Sequence, residues 1–393
     1  MNAGAKIRAS CRVRALFRNT RSLTVAALLT ALLFGARAFG QDEPILSVDN
    51  YCTTFAIAPD DTIAYAVPHM KHFDRITIER DELWVVSPKK KFRQLIDPDK
   101  FMPVPPPTTY VIQSISWSPD SQRLSLAMIT KTYPWEPKVK GKKRGDLDDD
   151  DIDNTYDDND TPAVTAGGGN AVALLDSDGH EIKVQGAKTR FIQGAISGTW
   201  LADDKTFVYL NGAGQIARVT PDDGKTSMLF DEKRFEAVGW DAPRNRAFAI
   251  GYGITGRLTL FQLGLMNETV AEITPIDNIQ GNTLTVSSLG DAVGFFHDGD
   301  TIEVRNLANP SKPIRVKTGP GRFEFDHDDR RILLKRGPAN QSSDLVWVRL
   351  DDGNFSPILH DLIYHDFHVA PDGNSLGVID VGRGTLQVYA LEP

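Results

Sequence analysis

Ile115-Ser116-Trp117-Ser118-Pro119-Asp120-Ser121, running on into residues 124–129, reads as a short apolar strand, a tight turn and a second apolar strand. Pro fixes φ for the turn, and Asp, Asn and Gly supply side-chain caps or positive φ, so these residue types mark a strand-turn-strand unit. The outline recurs along the chain. Phe367-His368-Val369-Ala370-Pro371-Asp372-Gly373 and Phe55-Ala56-Ile57-Ala58-Pro59-Asp60-Asp61 are the other strong copies, each followed by an apolar run. Looser copies turn at Ala202-Asp203-Asp204, Ala242-Pro243-Arg244-Asn245, Leu289-Gly290-Asp291 and His327-Asp328-Asp329.

Setting Ile57, Trp117, Trp200, Trp240, Val286, Phe325 and Val369 as equivalent gives intervals of 60, 83, 40, 46, 39 and 44 residues. The shorter intervals match the ~40–45 residues of a four-stranded propeller blade, and the two long ones hold insertions. Second hairpins complete the unit, as in Leu345-Val346-Trp347-Val348-Arg349-Leu350, Asp351-Asp352-Gly353 and the run from Phe355. Strands alternate at period two, and no stretch after residue 40 sustains a 3.6-residue pattern. The fold expected is all-β: a seven-bladed β-propeller of four-stranded blades. Its last copy stops one strand short, while Pro44-Ile45-Leu46-Ser47-Val48 stands alone upstream. An open ring would leave backbone groups unpaired, so this N-terminal strand is expected to complete the C-terminal blade.

The 393 residues carry 44 Lys and Arg against 52 Asp and Glu, a net charge of -8, with 41% hydrophobic and 24% charged residues. That composition supports a sizeable core and excludes global disorder. An acidic chain lacks the Lys/Arg excess that binds phosphates, which sets nucleic acid aside. Two Cys exclude a disulfide-stapled scaffold and a Cys-based zinc cluster. Residues 1–40 read as a signal peptide: Lys6, Arg8, Arg12, Arg14, Arg18 and Arg21, an apolar run from Leu23 to Phe34, then Ala36-Arg37-Ala38. The run is shorter than the ~20 residues of a bilayer span, although an uncleaved anchor is the rival reading. Cleavage would remove these six basic residues and Arg37, moving the charge from -8 to -15 and leaving residues 41–393 exported, periplasmic or extracellular, with no transmembrane span. Cys52 then has no partner within the chain and reads as a small buried hydrophobe.

Three insertions interrupt the period: residues 68–81, 97–110 and 131–169. By strand count all three leave the same face of the ring, where loops on a rigid scaffold carry binding function. The first holds His69 and His72. The second holds Phe101 in a proline-rich connector suited to a stiff, extended path. The third begins with Tyr133-Pro134-Trp135, passes a basic cluster and becomes an acidic low-complexity run. Its composition reads as a solvated, disordered loop. The sharper alternative is calcium held by Asp148, Asp149, Asp150, Asp151 and Asp153, but the Gly of an EF-hand loop is missing. No other cofactor is indicated.

No GxSxG elbow, HExxH, Walker A or suitably placed GxGxxG is present. His365 and His368 are three apart and would point to opposite faces of a strand, which opposes joint metal ligation. Glu324, Asp326 and Asp366 are the carboxylates that would have to converge in the channel for a metal-dependent enzyme. Trp117, Trp200 and Trp240 occupy equivalent repeat positions and read as packing between blades.

At Ser118-Pro119-Asp120 and Ala370-Pro371-Asp372-Gly373 the chain resembles the TolB-like, WD-type periplasmic propeller repeats, which also build the propeller of prolyl-oligopeptidase-type enzymes. The resemblance spans residues 44–393, with no room for the separate N-terminal domain of TolB itself. It implies an exported, non-catalytic propeller that binds a protein or peptide through the inserted loops. Tyr133, Trp135, His69, His72 and Phe101 are the contact candidates on that reading. The alternative is a propeller enzyme, a lactonase-like hydrolase with a divalent metal in the central channel.

Overall fold

The computed structural model describes residues 44–73, 76–102, 107–134, 167–185, 191–230, 233–281, 284–318, 321–336, 342–382 and 384–391. These are almost entirely strand and turn, arranged as a β-propeller. The chain enters through β1 (Leu46–Val48). It continues through β2 (Thr54–Ile57), β3 (Ile63–Phe73), β4 (Ile76–Val86) and β5 (Phe92–Ile96), followed by a single helical turn, α1 (Pro98–Phe101). Next come β6 (Thr108–Trp117), β7 (Arg123–Thr132), β8 (Gly167–Asp176) and the two-residue β9 (Ile192–Gln193).

Four-stranded sheets then follow in chain order. The first is β10 (Ala195–Trp200), β11 (Phe207–Asn211), β12 (Ile216–Thr220) and β13 (Lys225–Leu229). The second is β14 (Phe235–Asp241), β15 (Arg246–Tyr252), β16 (Leu258–Gly264) and β17 (Thr269–Pro275). The third is β18 (Leu284–Val286), β19 (Ala292–Asp298), β20 (Thr301–Asn306) and β21 (Ile314–Lys317). The fourth is β22 (Phe323–Phe325), β23 (Arg331–Arg336), β24 (Ser343–Arg349) and β25 (Phe355–Leu362). The last combines β26 (Tyr364–Val369), β27 (Ser375–Asp380) and β28 (Thr385–Ala390) with β1.

In that last sheet β1 lies antiparallel to β28, with Leu46 opposite Val388 and Val48 opposite Leu386. Val48 is buried among Phe55, Tyr65 and Leu386, so the first and last described strands share one core.

The expected seven-bladed propeller of four-stranded blades is corrected: the structure has five such blades, not seven. Five four-stranded blades stand as separate sheets, and β2 to β9 form a single eight-stranded sheet. The reason lies in strand length. β3 and β4 run for 11 residues each and β6, β7 and β8 for 10 each. Their extra length carries β4 past the edge of its own hairpin until Arg80 pairs in parallel with Tyr110 of β6. Parts of the insertions 68–81, 97–110 and 131–169 are therefore strand: they extend pairs already present instead of leaving them as loops.

The core follows the period-two pattern, because inward residues of each sheet meet those of the next. Phe207, Phe248, Phe261, Phe295 and Trp200 are fully buried in this way. Recurrent arginines brace the sheets at the turn after the first strand. Arg246 and Arg331 pair with Asp241 and Asp326, and each lies over an aromatic ring, Phe248 two residues along the same strand and Trp347 on the neighbouring strand.

Candidate functional site

The extended strands converge at one rim. Phe73 lies opposite Ile76, Arg80 beside Tyr110, Thr108 opposite Thr132, and Thr132 opposite Gly167, so all three excursions leave from the same end of the double sheet. They are tied together there. Lys71 Nζ sits 2.7 Å from Asp99 Oδ1, joining the first excursion to the second. The Tyr133 N–H donates to the Pro107 carbonyl at 2.9 Å, joining the third to the second.

Beneath them Arg80 is completely buried, donating through Nε to the Thr108 carbonyl at 2.8 Å and through Nη1 to the Met102 carbonyl. Arg80 Nη2 and the Tyr110 hydroxyl have no hydrogen-bond partner among the described residues. Burial lowers the Arg80 pKa, only partly offset by Tyr110 and Asp99. Asp81 points the other way. It accepts from the Ile112 N–H at 2.6 Å, and burial pushes its pKa up to about 7.

A second arrangement occupies the channel mouth, where β22 faces β26. Arg322 donates to Asp366 Oδ1 at 2.7 Å and to Glu324 Oε1 at 2.6 Å. His368 Nδ1 lies 2.9 Å from Glu324 Oε1, and its Nε2 lies 3.6 Å from Asp366 Oδ2. Glu324 Oε2 accepts the Val369 N–H, and Asp366 Oδ1 the Phe367 N–H, so backbone holds both carboxylates in place. The His368 ring is set edge-on against Phe55 of β2. Burial alone would raise both carboxylic acids and lower the imidazole. The facing charges win: Glu324 is held below its ordinary range by His368 and Arg322, Asp366 falls to about 2, and His368 rises through Glu324 and Asp366.

Arg322 and Glu324 of the quartet line a cavity of about 520 Å³ together with Gln280, Thr285, Phe296 and Asp298. Thr285 also lines a second space of about 400 Å³ in the channel, so the two adjoin. Hydroxyls of Ser114, Ser116, Ser125, Ser197 and Thr199 surround this inner space, with Trp240 on one wall.

The residues singled out from sequence fall in different places. His69 stands 3.3 Å from Glu82 and His72 3.0 Å from Thr77, both on the hairpin of β3 and β4. Tyr133 is half-buried at the end of β7 under the Lys131 ammonium. Phe101 is buried against Tyr110 and Phe191, where it packs the rim from inside. Trp135 and the calcium candidates Asp148, Asp149, Asp150, Asp151 and Asp153 lie outside the described residues, as do residues 1–40.

Glu324, Asp326 and Asp366 do not converge. Asp326 is held at a turn by Arg331 and His327, while Glu324 and Asp366 bracket Arg322. Of the tryptophans, Trp200 is core, Trp117 reaches across to the Ala56 carbonyl, and Trp240 borders the channel. Cys52 is buried and its thiol pushed up to about 12 by desolvation, consistent with a packing role.

Sequence singles out Glu324 and Asp366 but not the partners Arg322 and His368 that the fold brings between them, since the His365 and His368 pair is three apart. The informative pair is Asp366 and His368, two apart on one strand and therefore on one side of it. Arg322 and Glu324 have the same spacing.

A chain of the crystal structure of the mitotic checkpoint complex superposes with a TM-score of 0.56 at 10% identity, covering 99% of each chain. The Cps50 (Swd1) beta-propeller domain of Myceliophteria thermophila gives 0.53 at 12%, covering 88% of this chain and all of that one. The chain shares the β-propeller fold with these structures. At these identities the likeness concerns architecture alone. No family model matches the chain, and no curated protein does. Among the described residues no helix is long and apolar enough to cross a membrane.

Proposed function

We propose that this WD-type propeller is an exported, non-catalytic scaffold that holds a protein or peptide partner on the rim built by its three excursions. One observation carries the reading: the described ends of the excursions are tied together through Lys71 with Asp99 and Tyr133 with Pro107. Loops positioned by a rigid sheet are where binding function concentrates. His69, His72, Tyr133 and Trp135 are the side chains proposed to meet the partner. The basic and apolar N-terminal stretch supports export, and the Ser118-Pro119-Asp120 type of turn supports a TolB-like variant of the repeat.

The test compares the full chain with a variant in which residues 135–166 are replaced by a short Gly-Ser linker, both cross-linked in their native extracytoplasmic extract. A specific partner recovered by the full chain and lost by the variant is the expected result; equal recovery refutes the rim. Export is tested separately, by fractionating cells that express the chain with and without residues 1–40. An unchanged distribution refutes it.

A further inference from the structure

We propose that the mouth cavity between the sheet of β18 to β21 and the sheet of β22 to β25 receives one arginine side chain of a protein partner. The proposal rests on the scaffold reading and adds a recognition chemistry at a place separate from the interlocked rim. Among its lining residues the charged groups are Asp298, Arg322 and Glu324. Arg322, although half open to water, is paired within the protein: it donates to Asp366 at 2.7 Å and to Glu324 at 2.6 Å, so these carboxylates offset its charge. The charge left open to the cavity is therefore Asp298, which is exposed. Its carboxylate is kept ionised by the Thr301 hydroxyl and by the Asp300 N–H at 3.3 Å.

The rest of the lining fits a guanidinium. Phe296 is partly exposed and fixed edge-on against buried Phe323 at 5.7 Å, presenting an aromatic surface to a cation. Gln280 and Thr285 add neutral oxygen acceptors. Gly281, Gly299 and Gly321 form part of the lining, and a Cβ built on Gly281 would meet nothing within 4 Å, so its approach is open. A planar guanidinium can meet a carboxylate through two N–H groups while lying on a ring, which an ammonium cannot do as well.

His368 tunes this site from behind. The groups facing it are Glu324 and Arg322 from the β22 side, Asp366 on its own strand and the uncharged Phe55 ring from β2. When the imidazole is protonated, the two positive charges of Arg322 and His368 balance the two carboxylates of Glu324 and Asp366. When it loses its proton one negative charge is uncovered next to the cavity, and attraction for a cation increases.

The experiment uses the purified full chain and a blocked pentapeptide, acetyl-Ala-Ala-Arg-Ala-Ala-amide, with citrulline and glutamate versions of the central residue, titrated calorimetrically. The arginine peptide is expected to bind, and Asp298→Asn to weaken it about fivefold, the scale of one partly exposed ion pair. Asp351→Asn, which neutralises an exposed acid paired with Arg349, should leave affinity unchanged. Affinity should rise from pH 6 to pH 9 in the unmodified chain and stay flat in His368→Gln.

Equal binding by Asp298→Asn, equal binding of the citrulline or glutamate peptide, no binding of the arginine peptide, or an affinity that fails to rise with pH would each overturn the proposal. Replacing residues 135–166 should leave peptide binding intact. Partner retained by that variant with the arginine peptide bound refutes the rim and keeps the cavity, whereas partner lost by the variant with no arginine peptide bound by the full chain refutes the cavity and keeps the rim.

Discussion

Asp81 shows how a single buried group makes stability depend on pH. Its Oδ2 accepts the Ile112 N–H and its Oδ1 has no hydrogen-bond partner among the described residues, while burial holds the pKa near 7. The folded value lies above that of the unfolded chain, so the associated stability is fullest at acid pH and declines as pH rises toward 7. Asp81→Asn keeps the acceptor and removes the ionisation. Its melting temperature should gain on the unmodified chain between pH 5 and pH 8, by the equivalent of about 2 kcal/mol. A constant difference would show that Asp81 does not titrate in this window.

The Arg322 quartet behaves in the opposite sense on its acid side. Asp366 falls to about 2, so its contribution is present above the ordinary carboxylate range and lost as pH drops toward 2. His368 is raised, so its contribution is complete below its unfolded pKa and lost as pH climbs through the higher folded value. Arg322→Leu would leave Glu324 and Asp366 with only His368 between them. The expected loss is about 2 kcal/mol, below that of a fully buried pair because the guanidinium is half open to water. Chemical denaturation at pH 7 would measure it, and an unchanged midpoint would mean that water replaces the arginine.

Among the elements, β1 joins the N-terminal side of the described chain to its last sheet. Its three residues supply the fourth strand of the sheet that closes the ring, and Val48 joins the core beneath it. Removing residues 41–48 exposes the edge of β28 and opens that core, so the melting temperature should fall by more than about 5 °C. Scanning calorimetry would detect this; an unshifted transition would show that the ring does not depend on β1. The turn α1 works through Phe101, whose ring fills the space under the rim beside Tyr110 and Phe191. Phe101→Ala should cost about 3 kcal/mol, measured by urea denaturation. Period-two alternation and the Pro-Asp-Gly turns made these strands legible in sequence, because each needs only residues close in the chain. The four-residue α1 carries no such periodicity, and its proline-rich surroundings read as a connector.

For the molecule as a whole, the joining of β4 to β6 places eight strands in one sheet, which is expected to open as one unit. Tyr110→Ala at that joint should speed amide exchange in both β2–β5 and β6–β9 while leaving β22–β25 protected. Faster exchange confined to β6–β9 would show that the parallel bridge does not couple them. Local sequence determined that the chain is all strand, where its turns fall, and that the strand near residue 46 is needed to close the ring, since alternation and turn chemistry act over a few residues. Tertiary structure alone decided that two hairpin systems merge into one sheet and that Arg322, Glu324, Asp366 and His368 meet at the channel mouth. Those outcomes depend on how far paired strands extend and which charges desolvate together, and both are set by contacts between residues more than 20 positions apart in the chain.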